Sequence, residues 1–452
     1  MVGTVRTMSA ITKRFATGEE SGKERRKRSR RFAPYVAGVA VWAGLLASAA
    51  LWGRAMLGEG SLHLGRLPPF IGGPRLLPAV RWLLPIGVGG VLVAGLPTLS
   101  RRLRWRPLLL TCWLGAGAWA TSLAGAAGWV GLVGPVTSMR EYAPTLSALD
   151  SGVLSFLRHF VDQLSTYPVH TRGHPPGPVL VLYLLQQIGL PVIEAEAGLV
   201  IVVGSSAVAA VAVTVRVLAG QQPARRALPF LVLAPMALWV ATSMDAFFLG
   251  ISSWGVAVLA FATEARGLRA SVLALGAGLL LGSALYLTYG MVPYGALVVA
   301  VVAARRRWRL LLSATAGVVV VAAAFTAAGF WWFAGLMATH HEWASGIGAE
   351  RPYSYFLLAN LAVLAFMIGP AAAAGIGGLR DRRVWWLVGA ALLTLLASDV
   401  GGFERGEVER IWLPFAIWLL PATASVPGRR YGWLACHVTL AVTFQGLIHS
   451  PW

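Results

Sequence analysis

Charge is the scarcest commodity in this sequence: only 12% of its 452 residues are Asp, Glu, Lys or Arg, about half of what a soluble domain carries. Lysine is nearly absent, occurring only at Lys13, Lys23 and Lys27. Beyond residue 27, any phosphate must therefore be held by arginine, histidine or backbone. The two cysteines, Cys112 and Cys436, both fall inside apolar stretches, which excludes a disulfide framework and a cysteine metal site. Acidic residues number 18 against 38 Lys and Arg, a net charge of +20. Such a balance raises the question of nucleic acid. The basic residues, however, sit in short runs beside apolar stretches, so no nucleic-acid partner is implied. The first 33 residues are polar and strongly basic, with seven Lys/Arg between Lys23 and Arg31. No short apolar core with a small-residue cleavage site occurs there, so this segment is not read as a cleaved signal peptide. It reads as a disordered cytoplasmic tail that touches anionic lipid.

What the sequence has in abundance is hydrophobic length: 57% of residues are hydrophobic. Apolar runs recur at 34–53, 76–97, 108–134, 197–217, 227–243, 246–264, 270–287, 291–304, 309–332, 354–377, 384–398, 411–427 and 431–448. Most approach the ~20 residues that cross a bilayer as helix. The reading is an all-α, polytopic membrane protein of about 13 transmembrane helices. Residues 34–107 supply two N-terminal helices ahead of the rest of the bundle, 108–452. With the tail inside, alternate loops hold 28 of the 38 Lys and Arg and five acidic residues, whereas the opposite loops hold 10 and 13. The positive-inside rule then makes this a multi-pass protein of the cell (plasma) membrane. Its N-terminus is cytoplasmic and its C-terminus outside. Heavy use of Arg, Ala and Gly fits a GC-rich genome such as an actinobacterium's.

Val179 to Leu190 tests that topology. At 12 residues it reaches only ~18 Å as a helix, too short to cross, and counting it as a span would place the later arginine clusters outside. It reads as an interfacial helix opened by Pro178. Upstream, Leu149, Val153, Phe156, Leu157, Phe160, Val161 and Leu164 form a helical apolar stripe, with Asp150, Arg158 and Asp162 off it. Residues 135–196 thus form one long outer loop with two amphipathic juxtamembrane helices. Loops of this length are usually functional.

Three features of that region carry a resemblance. Arg140-Glu141-Tyr142-Ala143 follows a predicted span, helix 150–164 comes next, and Gly173-His174-Pro175-Pro176-Gly177-Pro178 opens the second short helix. Met244-Asp245 adds an acidic residue at the outer end of a later hairpin. Across roughly residues 108–430, more by topology than by identity, the chain resembles the GT-C superfamily of membrane glycosyltransferases. These include protein O-mannosyltransferases, aminoarabinose transferases and actinobacterial envelope transferases. The resemblance makes residues 108–452 a GT-C-like catalytic domain, to which the two helices of 34–107 are additional. It also implies a polyprenyl-phosphate sugar donor, a glycan, lipid or protein acceptor, transfer at the outer face with inversion, and no organic cofactor. Relatives often carry paired acidic residues where this chain has Arg140-Glu141, and an apolar residue where it has Gly177.

The residues can be weighed against that chemistry directly. Inverting transfer needs a carboxylate to accept the acceptor's proton and donors to stabilise a departing phosphate. Glu141, with Tyr142 beside it, is the candidate base; otherwise it forms a solvated pair with Arg140. His174, held by its prolines, is placed near the donor phosphate or sugar, or caps the loop as a turn residue. His170 and Arg172 are secondary. Asp245 needs a partner so close to the hydrocarbon: it orients the acceptor or a site arginine, or it caps the helix starting at Ala246. Arg351, Arg405 and Arg410 are phosphate ligands by their bidentate geometry, with Arg410 preferred. Glu404, Glu407 and Glu409 hold those arginines or contact sugar hydroxyls. The alternative for the 399–414 segment is a solvated loop. His340-His341-Glu342 lacks the i,i+4 spacing of a helical zinc site, so a divalent metal is not indicated. Glu141, His174, Asp245 and the 404–410 patch are expected to share a water-accessible cavity. Two other classes remain, a transporter or flippase and a non-catalytic scaffold of an envelope complex. The spans contain almost no ionisable groups, Arg81 lying near an outer end and His437 being isolated, and no repeat is visible.

Overall fold

A computed structural model describes residues 32–428 and 430–452. The basic tail expected over 1–33 lies, but for its last two residues, outside the described residues, as does Arg429. Among the described residues nine helices are long and apolar enough to cross a membrane. They are α1 (Phe32–Glu59), α2 (Ala79–Arg102), α3 (Trp105–Gly125), α4 (Val192–Ala219), α5 (Asp245–Glu264), α6 (Gly267–Leu287), α7 (Leu310–Ala327), α8 (Tyr353–Gly378) and α9 (Arg382–Gly401). The chain is a polytopic, all-α membrane protein, since a backbone in lipid must satisfy its hydrogen bonds within each segment.

Four of the thirteen expected spans take another form. Stretch 227–243 divides into a helix Gln221–Val232 and a 3-10 turn Pro235–Trp239. Stretch 291–304 becomes a 3-10 turn Tyr289–Tyr294 and the short helix Gly295–Arg305. Stretch 411–427 becomes Leu413–Ala416 followed by a 3-10 run Ile417–Ser425. Stretch 431–448 is the 18-residue helix Arg430–Leu447. The cause of the first three breaks is proline, which lacks an N–H and clashes with the preceding turn: Pro229, Pro235, Pro293, Pro414 and Pro421 interrupt runs that hydropathy alone reads as continuous. Residues 229–243 and 413–424 are buried, so there the backbone departs from regular helix where protein surrounds it, whereas 289–305 is only half-buried, with Val292 and Val299 exposed.

Inside α8 a similar break explains His437. Gly369 adopts φ +73° ahead of Pro370, and His437 fills the gap: its Nε2 accepts from the Ala371 amide at 3.3 Å. Its ring also packs on Phe230. The isolated histidine thus repairs a broken helix. Close helix pairs depend on small residues: a Cβ at Gly250 would strike the Val203 backbone, and one at Gly278 the Ala314 backbone.

The long loop 135–196 packs onto the bundle. Leu149, Phe156, Leu157, Phe160 and Leu164 are buried, and Phe160 meets Phe330 edge-on at 5.5 Å. Asp150, Arg158 and Asp162 stay exposed. Its first predicted helix is Val153–His159 with a 3-10 turn Leu164–Thr166, and the second is Gly177–Gln187, 11 residues long. Gly177 stands where a side chain would collide with the Tyr286 carbonyl. Finally, Gly73–Pro74 pairs antiparallel with Ile448–His449, which carries residues 450–452 over the loop end of the bundle.

Candidate functional site

The geometry centres on Arg410, set in one helical turn, Val408–Ile411. Its Nη1 donates to Asp245 Oδ2 at 2.8 Å and its Nη2 to Glu407 Oε2 at 2.7 Å. Nη2 also lies 3.3 Å from His170 Nε2. Arginine only donates, so His170 Nε2 accepts and its proton sits on Nδ1, aimed at Glu141 Oε1 at 2.8 Å. A continuous string results: Glu141, His170, Arg410, Asp245. It joins the 135–196 loop, the head of α5 and the 402–411 turn. The Arg410 and Asp245 side chains are 6% and 4% exposed, those of His170 and Glu141 9% and 12%.

Burial and charge pull these groups in opposite directions. Burial works to neutralise Glu407, but Arg410, with Arg351 beyond it, outweighs burial and holds its carboxyl below the usual range. Burial likewise disfavours charge on Arg410, yet Asp245, Glu407 and Glu141 raise its affinity for the proton. The pair is therefore fully ionised, the arrangement in which removal of one partner is most costly.

Tyr142 is 1% exposed and packs between His170 and His174, with ring centroids 6.1 and 5.6 Å away. Burial, then Asp245 and Glu141, drive its hydroxyl well above the ordinary tyrosine range, so it stays a donor. His174 Nδ1 lies 2.8 Å from the His170 carbonyl, and because a carbonyl only accepts, His174 carries its proton there and leaves Nε2 bare. Burial lowers its pKa to about 4; His174 is neutral at physiological pH.

Asp245 does not cap α5 for a helix beginning at Ala246. It is itself the first residue of α5, and Ser243 Oγ both donates to its carboxylate at 2.7 Å and accepts its amide at 3.1 Å. Two members of the 404–410 patch are not brought to Arg410. The Arg405 guanidinium donates to the carbonyls of Gly402, Ala349 and Arg351 and lies over Trp343 and Tyr353; it staples two loops. Glu404 accepts from Ser398 and from Trp412 Nε1, and burial raises its pKa. Arg351 borders the site, 3.8 Å from Glu407, with Nη1 and Nη2 on the carbonyls of Arg405 and His63. The assembled groups are buried in place of lining an open cavity, because Trp452 lies 4.8 Å over the Arg410 guanidinium.

His170, a secondary candidate in the sequence, links the base candidate to the arginine, and three further contributors escape a reading of the sequence. Asn360 of α8 donates to Asp399 and to the Glu404 carbonyl and accepts from Gly406 N, fixing the turn ahead of Glu407. Trp452 donates from Nε1 to Glu409, whose carboxyl burial pushes up to about 7. Glu196 of α4 is fully buried with both oxygens unpartnered, within electrostatic reach of Glu141 and Tyr142. No local pattern marks any of these, since each partner is distant in sequence. The Arg172 guanidinium instead pairs with Glu342 at 2.9 Å, and the Arg172 carbonyl accepts from Thr339 Oγ1, tying the 135–196 loop to segment 331–353. Among the described residues no group of three His, Cys, Asp or Glu side chains is arranged to hold a metal ion.

No family model and no curated protein matches this chain.

Proposed function

We propose that this chain is a membrane glycosyltransferase of the GT-C type. It would move a sugar from a polyprenyl-phosphate donor to an envelope glycan, lipid or protein acceptor at the outer face of the cell membrane, with the N-terminus cytoplasmic. The observation that carries this is the buried string from Glu141 through His170 to Arg410 and Asp245. It supplies both a carboxylate to accept a proton and a fixed cation beside it. In the reaction the acceptor hydroxyl or amine forms the new bond to the anomeric carbon as the bond from that carbon to the phosphate oxygen breaks. Its proton passes to Glu141, and polyprenyl phosphate leaves with the electron pair. Oε1 of Glu141 is occupied by His170, which orients the carboxylate and leaves the other oxygen for that proton. Arg410 and Arg351 each keep a buried Nε–H without a partner, and these are the donors left for a phosphate oxygen. Asp245 positions Arg410. Substrate enters once the Trp452 indole moves aside.

Glu141→Gln in purified, folded protein is the test. Sugar transfer from a polyprenyl-phosphate donor should fall by about 10²–10⁴. Unchanged transfer removes Glu141 as base. A folded wild type that turns over no such donor removes the reading as a whole, in favour of a transporter or a scaffold.

A further inference from the structure

At the opposite end of the bundle lies a second constellation, whose charged groups among the described residues are all cations. The start of α1, the turn after Ile417–Ser425 and the start of Arg430–Leu447 enclose a cavity of about 300 Å³, lined by Phe32, Tyr35, Arg226, Ser425 and Arg430 among others. Arg101, in the last turn of α2, is within electrostatic reach of Arg430, as is Arg226. Among the described residues, none of the three has an ion-pair partner. A neighbouring arginine shows what a structural role looks like: Arg225 donates to the Ser100 and Leu103 carbonyls at 2.7 and 2.9 Å and lies over Trp105. Arg226, which is exposed, and Arg430, which is half-buried, line a cavity instead.

We propose that this cavity is a binding site for a phosphate-bearing anion. Two guanidinium groups converging without a carboxylate repel each other, and an anion between them removes that repulsion while offering bidentate acceptors. Lysine would serve as a point charge, whereas the arginines here present flat forks that match phosphate oxygens. The volume sits at the small end of ligand sites, enough for a phosphate with a few attached atoms. Phe32 and Tyr35 give the remaining wall an aromatic character suited to the carbons beside such a group. The cavity opens where apolar helices end, the depth of lipid headgroups. A lipid phosphate and a soluble phosphate share this chemistry, and the site's position alone does not separate them.

Thermal unfolding of the full chain in a neutral detergent tests this. Titrants are phosphatidylglycerol, phosphatidylcholine, inorganic phosphate, and chloride at matched ionic strength. The midpoint should rise with phosphatidylglycerol or inorganic phosphate and not with phosphatidylcholine or chloride. In the Arg226→Gln/Arg430→Gln double variant the apparent affinity should weaken at least about tenfold. A rise with the lipid alone identifies a headgroup, and an equal rise with inorganic phosphate identifies a soluble ligand. The proposal is overturned if neither phosphate source raises the midpoint. It is also overturned if the double variant responds like the wild type, or if Arg383→Gln, elsewhere among the basic loops, abolishes the response equally.

Discussion

The two ends of this bundle hold arginine in opposite ways: Arg410 is buried at one, whereas Arg101 and Arg226 are exposed and Arg430 half-buried at the other. At the loop end, Arg410 is enclosed by Asp245 and Glu407 and linked through His170 to Glu141, so charge is balanced inside the chain. At the other end, Arg101, Arg226 and Arg430 gather with no carboxylate among the described residues to answer them. A self-neutralised network is part of the fold and collapses when one member is removed. An unbalanced one contributes little to the fold alone and acquires meaning from what binds there. Stability measurements should therefore respond sharply at one end and weakly at the other.

The largest effect is expected at Arg410. Arg410→Gln strands Asp245 as a buried carboxylate and takes the cation from the partly exposed Glu407, and unfolding in detergent should show a loss of about 3–5 kcal/mol. A change under about 1 kcal/mol would mean the string is solvated and the contrast between the ends is lost. The next effect depends on pH. Glu409 is pushed up to about 7 by burial, above an unfolded value near 4.5. Its neutral form is therefore favoured by folding, and the stability this gives is complete below about 4.5 and lost as pH rises through about 7. Compared with wild type, Glu409→Gln should gain stability between pH 5 and 8, by at most about 1.4 kcal/mol per pH unit, while keeping an acceptor for Trp452. A difference curve flat with pH would show that Glu409 is not held neutral.

Glu196 gives a change of opposite sign. A carboxylate with both oxygens buried and unpartnered costs folding free energy whatever its protonation. Glu196→Leu should raise stability by about 1–2 kcal/mol, read by the same unfolding experiment. Destabilisation would mean that Glu196 has a partner in solution, for instance a bound cation or water.

Much of the fold is legible in the sequence because hydrophobic length and the sorting of arginines are one-dimensional signals. The stripe from Leu149 to Leu164 reads correctly as a buried face, since helical spacing decides which side chains share a side. Hydropathy is blind to the prolines that break 227–243 and 411–427, because proline alters backbone geometry and hardly changes apolarity. At the site, the need of Asp245 for a partner follows from its position beside hydrocarbon. Which arginine answers does not, as Arg410 lies 165 residues away. Arg405 and Arg410 look alike in sequence. Only the turn after Gly402, with Glu407 at φ +63°, sends one guanidinium to carbonyls and the other to carboxylates.

The smallest expected effect bears most directly on the comparison. In neutral detergent without anionic lipid or phosphate, Arg226→Gln/Arg430→Gln should change stability by less than about 0.5 kcal/mol. Losing two unanswered cations removes their mutual repulsion along with whatever packing their stems provide, and these contributions oppose each other. A loss of several kcal/mol would show that the arginine end is neutralised from within, like the loop end, and that both ends of the bundle hold themselves together by the same means. Near-silence in detergent, joined to a clear loss once a phosphate-bearing titrant is present, assigns the two arginines to a ligand and leaves Arg410 as the one whose charge the fold itself requires.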